Sequence, residues 1–70
     1  MADVRSPMAG TVLEILVGVG DEVSAGDELL ILESMKMEIP VEAPAGGSVK
    51  AIAVSQGQPV QEDDVLLTIE

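Results

Sequence analysis

The chain of seventy residues contains no cysteine, no histidine and no aromatic side chain, and it has only three basic residues. Each absence closes a route. Without cysteine there is no disulfide, no thiolate nucleophile and no thiolate metal site, and without histidine the side chain most used for proton transfer and metal ligation is missing too. An enzyme would have to work with paired carboxylates in a cleft that so short a chain can hardly enclose. Without Phe, Tyr or Trp, the core has to be assembled from Val, Ile, Leu, Met and Ala, which favours a thin aliphatic β structure. No apolar stretch approaches the roughly 20 residues of a membrane span. The opening Met1-Ala2-Asp3-Val4-Arg5 lacks the basic region and apolar run of a secretion signal, so a cytoplasmic location is expected.

Thirteen acidic residues stand against Arg5, Lys36 and Lys50, a formal charge of −10. Such a surface repels nucleic acid and anionic membrane and leaves proteins with basic or mixed surfaces as the expected partners. The length allows one domain, residues 1–70, and a single marginal core.

What the chain does contain is a repeat. An offset of 37 positions aligns residues 7–33 with residues 44–70 without a gap. Identical pairs are Pro7/Pro44, Gly10/Gly47, Val12/Val49, Ile15/Ile52, Val17/Val54, Gly20/Gly57, Val23/Val60, Asp27/Asp64, Leu29/Leu66, Leu30/Leu67 and Glu33/Glu70, eleven of twenty-seven positions. Chance at ordinary residue frequencies gives roughly two to three, so the chain is an internal duplication. Two copies are too few for a solenoid, and the halves must bury their apolar faces against each other.

Residues 11–17 and 48–54 are runs rich in β-branched side chains and read as strands. Their matched apolar residues are spaced by three and then by two in both copies, which breaks strict alternation and predicts a bulge or bend. Gly20-Asp21 and Gly57-Gln58 mark turns. Gly26-Asp27 is answered by Asp63-Asp64, a substitution that keeps one turn geometry because Asp tolerates a left-handed backbone. The closing runs, residues 29–32 and 65–69, are short, continuous and apolar, as suits strands buried on both sides.

The duplication is interrupted at Glu33-Ser34-Met35-Lys36-Met37-Glu38, between one strand run and the next at residues 37–41, so Lys36 is expected in a hairpin turn. One reading of the residues buries Met35 and Met37 as core fillers and leaves Lys36 an ordinary solvated turn residue. The other leaves both methionines exposed as an adaptable contact surface, because two neighbours of a turn tip cannot easily both reach the core.

The sequence resembles the biotinyl/lipoyl attachment domains, and specifically the biotin carboxyl carrier domains of biotin-dependent carboxylases. The resemblance rests on Ser6-Pro7-Met8-Ala9-Gly10, Val19-Gly20-Asp21-Glu22-Val23, Glu33-Ser34-Met35-Lys36-Met37, Ala43-Pro44-Ala45-Gly46-Gly47 and Gly57-Gln58-Pro59-Val60. Lipoyl domains usually carry an acidic or small residue and an Ala or Ser around their lysine, so the paired methionines point to biotin. The family usually has Ala where this chain has Ser34 and Pro where it has Ala9. No insertion resembles the protruding thumb of some acetyl-CoA carboxylase carriers.

The resemblance implies an all-β fold, a flattened β-barrel or sandwich of two four-stranded antiparallel sheets with internal pseudo-two-fold symmetry and Lys36 on an exposed hairpin turn. It implies biotin attached covalently to Lys36, with Met35, Met37, Glu33 and Ser34 completing the attachment motif, and no catalytic residue and no metal. The implied partners are a biotin protein ligase, a biotin carboxylase that loads CO2 onto the biotin, and a carboxyltransferase that passes it to an acyl-CoA or keto acid, with neither nucleic acid nor membrane among them.

Lys36 must be neutral to attack an activated biotin, yet Glu33 and Glu38 are carboxylates that favour an ammonium beside them, so the base or the desolvation is expected from the ligase. A biotinylated lysine spans roughly ten bonds of about 1.5 Å, a reach on the order of 12 to 15 Å. Such an arm is shorter than the usual separation of two active sites, so the domain itself has to re-dock. No Pro/Ala-rich linker is present, which suits a free-standing or an excised carrier. The alternatives are a lipoyl carrier of a dehydrogenase or glycine-cleavage complex, and an unmodified interaction module in which Lys36 is inert.

Overall fold

A computed structural model describes residues 2–70, and all regular structure among them is β. The strands are β1 (Ala2–Arg5), β2 (Gly10–Ile15), β3 (Glu22–Val23), β4 (Glu28–Ser34), β5 (Met37–Glu42), β6 (Gly47–Ile52), β7 (Pro59–Val60) and β8 (Val65–Ile69). They form two four-stranded antiparallel sheets, ordered β1-β8-β6-β3 and β5-β4-β2-β7. Adding 37 to every residue number of the first half turns one sheet into the other. The centre of each sheet comes from one half and its edges from the other, so the halves clasp and neither closes a sheet alone.

The repeated residues fall where the two copies do the same work. Register shifts interrupt β2 between Val12 and Glu14 and β6 between Val49 and Ala51, the two places where the apolar spacing breaks alternation. The extra residues, Leu13 and Lys50, are displaced so that Val12 and Val49 stay buried while Ile15, Val17, Ile52 and Val54 still reach the core. A second symmetric pair of shifts lies at Leu29 and Leu66, the residues left without a partner across the ladder. These bulges let Leu29-Leu30 and Leu66-Leu67 bury both members of each pair. Beyond them the strands alternate, with Ile31 and Thr68 only half-buried, so β4 and β8 are not buried on both sides throughout. The sandwich has two layers, and its outer faces meet solvent.

The turns repeat as well. Asp21 accepts from the Gly18 N–H at 2.7 Å, Asp27 from Ser24 at 2.8 Å, Gln58 from Ser55 at 3.1 Å and Asp64 from Gln61 at 2.8 Å, each closing a turn across three residues. Gly26 and Asp63 share a left-handed φ, 90° and 75°, as their substitution for one another predicts. The buried core is Val, Leu, Ile and Ala. Among the described residues methionine, expected as a core filler, supplies none of it, and Met8 is only half-buried.

The connectivity gives the molecule, 31 × 18 × 17 Å in extent, two poles. Strand β4 covers seven residues, about 20 Å at roughly 3.3 Å per step. Where it begins, the tight turn at residues 24–27 leads back to Val23, which pairs with Gly47. Gly47 lies against the Glu70 carbonyl, and Ala2 pairs with Ile69. The chain ends therefore lie side by side at the pole where β4 begins, although Met1 itself is outside the described residues. Lys36 stands at the opposite pole, where β4 ends.

Candidate functional site

Strands β4 and β5 form a ladder that pairs Leu32 with Ile39, Glu33 with Glu38 and Ser34 with Met37, leaving Met35 and Lys36 as the whole connection. Two-residue hairpin loops match the twist of their strands as type I′ or II′ turns, and the type I′ turn needs positive φ at both residues, which is why Asn-Gly is its usual sequence. Here φ is 52° at Met35 and 66° at Lys36. Neither residue is glycine, asparagine or aspartate, so the backbone at the tip is held in a conformation that ordinary side chains disfavour, typically by about 1 kcal/mol or more per residue. The ladder enforces it.

The support extends to β2. Gly10 lies so close beneath the hairpin that a Cβ there would stand 2.7 Å from the Glu33 carbonyl oxygen and 3.5 Å from Ser34 Cβ. Its repeat mate Gly47 faces the Glu70 carbonyl in the same way, so two identities of the duplication, Gly10/Gly47 and Glu33/Glu70, record one close contact made twice. Gly10 supports the site without belonging to the motif around the lysine, and what signals that contact in the sequence is the coincidence of the two identities.

The tip is open to solvent. Met35 is 92% exposed and Met37 60%, so the reading that buries both methionines fails. Lys36, Glu33 and Glu38 are exposed and Ser34 is half-buried. The five residues expected to make up an attachment motif, Glu33 to Met37, thus all lie on one hairpin. The Lys36 ammonium forms no hydrogen bond or ion pair with any described residue, which leaves it free to receive a substituent. An exposed primary amine on a fixed turn fits an acyl group carried in amide linkage. Glu33 and Glu38 face each other across the strands, an unfavourable like-charge pair that surrounds the lysine with negative potential. A shallow groove elsewhere is lined in symmetric pairs that include Val4 with Val41 and Pro7 with Pro44. It follows the pseudo-two-fold axis between the edge strands β1 and β5, and Lys36 does not line it.

The model of the biotin/lipoyl family, described as biotin-requiring enzyme, matches residues 2–69. The biotin carboxyl carrier protein of Streptococcus mutans is 53% identical over 64 residues, which are 91% of this chain and 49% of that protein. A biotinylated protein TB7.3 homolog of Mycobacterium leprae is 46% identical over 67 residues, 96% of this chain and 94% of the relative. Among solved structures, the urea carboxylase of Kluyveromyces lactis superposes with a TM-score of 0.93 at 33% identity, covering 99% of this chain and 6% of that one. The chain thus spans about half the length of the streptococcal relative and a small fraction of the carboxylase.

Proposed function

The chain belongs to the biotin/lipoyl attachment family, and on that premise we propose that it is a non-catalytic carrier whose Lys36 holds biotin in amide linkage for a biotin-dependent carboxylase. The observation that carries this reading is the unpartnered Lys36 amine at the tip of a strained, exposed turn, at the pole farthest from the chain ends. Backbone strain kept at an exposed lysine marks a place where geometry is held for a purpose other than stability.

Bound there, biotin supplies a nitrogen that can hold and release a carboxyl group. The chain's own residues hold the amine out and keep it accessible. The β4–β5 ladder fixes the direction of the arm, Gly10 lets the hairpin seat on β2, and Met35 and Met37 offer polarisable apolar surface on either side of the lysine. No described side chain is placed to take a proton from Lys36, so the ligase that joins biotin to it provides the base. The other partners are the biotin carboxylase and carboxyltransferase sites that load and unload the carrier. The names of the streptococcal and yeast relatives support that pairing. With both ends at the pole away from Lys36, the domain can be joined to a larger polypeptide at either end without obstructing the lysine.

The cytoplasm is the proposed location. A chain without cysteine draws no stability from an oxidising compartment. The charge of −10 argues against nucleic acid and anionic lipid as partners.

The test is acceptance. Incubated with a biotin protein ligase, biotin and ATP, the protein should gain one biotinyl group by intact mass and become visible to streptavidin. Lys36→Arg should remove both signals and keep the fold, because a guanidinium cannot be neutralised for attack and the turn is exposed. Lys50, inside β6, should not substitute. A wild-type protein that stays unlabelled, or label that persists on Lys50 in the variant, overturns the assignment.

A further inference from the structure

Peroxide-reactive chemistry in this chain is confined to its thioethers. Cysteine, histidine, tryptophan and tyrosine, the side chains that ordinarily compete with methionine for oxidant, are all absent. The described methionines are Met8, which is half-buried in the β1–β2 connection, and Met35 and Met37, which are 92% and 60% exposed. Neither of the latter contributes to the core. Both flank Lys36 on a turn that places them in solvent, so among the described methionines an oxidant meets these two sulfurs first.

We propose that Met35 and Met37 are a reversible oxidation site, and that their conversion to methionine sulfoxide by hydrogen peroxide switches off biotin acceptance at Lys36. In the step, a sulfur lone pair attacks one peroxide oxygen. The S–O bond forms as the O–O bond breaks, and the departing hydroxide takes a proton to leave as water. The thioether loses two electrons and the peroxide gains them. Reduction by methionine sulfoxide reductases, one for each sulfoxide epimer, with a dithiol as the electron source, returns the thioether.

The consequence follows from the exposure of the two residues. A sulfoxide at an exposed turn leaves the core untouched, so the fold persists. The same group turns a flexible apolar contact into a polar, chiral one. A ligase surface matched to the thioethers then has to bury a polar oxygen without a partner. The switch acts on recognition of the lysine and leaves the amine itself unchanged. It rests on the reading of Lys36 as the biotin acceptor.

The experiment treats the unbiotinylated protein with dilute hydrogen peroxide, maps the added oxygens by peptide mass spectrometry, records the far-ultraviolet circular dichroism melt, and measures ligase kcat/KM for the treated and untreated forms. Met35 and Met37 should gain oxygen before Met8, with a fold that still melts cooperatively. Acceptance should fall roughly ten- to a hundredfold, the factor expected for burying an unpaired polar group. Treatment with both reductases and a dithiol should restore it. A Met8→Leu variant should lose and regain acceptance in the same way.

Acceptance unchanged in protein carrying both sulfoxides overturns the proposal. So does preferential oxidation of Met8, or unfolding on oxidation at the turn. Untreated protein that fails to accept biotin refutes the carrier reading instead, and the order of oxidation at Met8, Met35 and Met37 then still decides whether the turn is the oxidation site.

Discussion

Replacing Met35 by asparagine should make the protein more stable and a poorer biotin acceptor, two effects that a purely structural turn would not join. Met35 has a φ of 52°, a region that costs a residue with an ordinary side chain roughly 1–2 kcal/mol, while asparagine visits it readily by hydrogen-bonding locally. At 92% exposure the methionine gives up no core contact when removed. The gain should be about 0.5 to 1 kcal/mol. In a domain of this size each kcal/mol moves the midpoint by about 4–8 °C, so the melt should rise by about 2–8 °C.

Met35→Gly relieves the same strain but returns about 0.4–1 kcal/mol through the greater freedom of the unfolded chain, so stability should rank Asn first, with Gly close to the parent. Far-ultraviolet circular dichroism or calorimetry has to follow the transition, because a chain without aromatic residues has no intrinsic fluorescence to report it. Ligase kcat/KM should fall by about tenfold, the equivalent of one apolar contact worth about 1.4 kcal/mol. A lower midpoint for the asparagine variant would show that the turn is not strained. Undiminished acceptance would show that the ligase does not contact Met35.

Three further outcomes test other parts of the argument. The double change Met35→Asp with Met37→Ala should leave stability within about 1 kcal/mol by urea unfolding, as exposed substitutions do, while biotin transfer suffers more; an unfolded variant would place the methionines in the core after all. Gly10→Ala drives a Cβ to 2.7 Å from the Glu33 backbone oxygen, so overpacking should cost about 1–3 kcal/mol and lower the melting midpoint, and a neutral result would mean that the hairpin can lift from β2. Leu29→Ala and Leu66→Ala empty symmetric, fully buried sites and should each cost about 2–5 kcal/mol, equal to within about 1 kcal/mol; a large inequality in their denaturation midpoints would argue that the two half-cores are packed differently.

Much of this architecture was legible because duplication made each signal appear twice. The three-then-two spacing of Val12, Ile15 and Val17 means little alone, but the same break at Val49, Ile52 and Val54 marked the bulges that the ladders show. Asp63 in place of Gly26 indicated a shared left-handed residue, and both adopt one. Lys36 stood out because it falls where the repeat stops.

What stayed hidden was set by tertiary partners. Strands β3 and β7 have two residues each, too few to show a period, and they exist because β6 and β2 offer them an edge. Their exchange between halves leaves no trace in local sequence. Strand β1 is the symmetry mate of β5, yet among their corresponding residues only Val4 and Val41 are identical, so the repeat fades before the strand begins. The edge strands have diverged because they answer to solvent, with Pro40 removing a backbone donor from the edge where β1 carries the exposed Asp3. Continuous apolar runs suggested burial on both faces, and bulges at Leu29 and Leu66 produce that pattern locally in a two-layer sandwich.

The pseudo-symmetry also explains why the fold presents one lysine turn and not two. Rotation carries the end of β4 onto the end of β8 and the start of β5 onto the start of β1, so the place equivalent to Met35 and Lys36 lies beyond the pair Ile69 and Ala2, which are matched as their repeat equivalents Leu32 and Ile39 are beneath the turn. The supporting contact survives at both poles, Gly10 against Glu33 and Gly47 against Glu70. One pole spends that support on a strained turn, and the other on holding the two chain ends together. A carrier needs both: an end that can be tethered and an opposite end that reaches a partner's active site. With only two copies of the unit, each pole can serve one of those needs, and on the proposed reading the lysine turn stands at one pole alone because no second β4–β5 hairpin occupies the other.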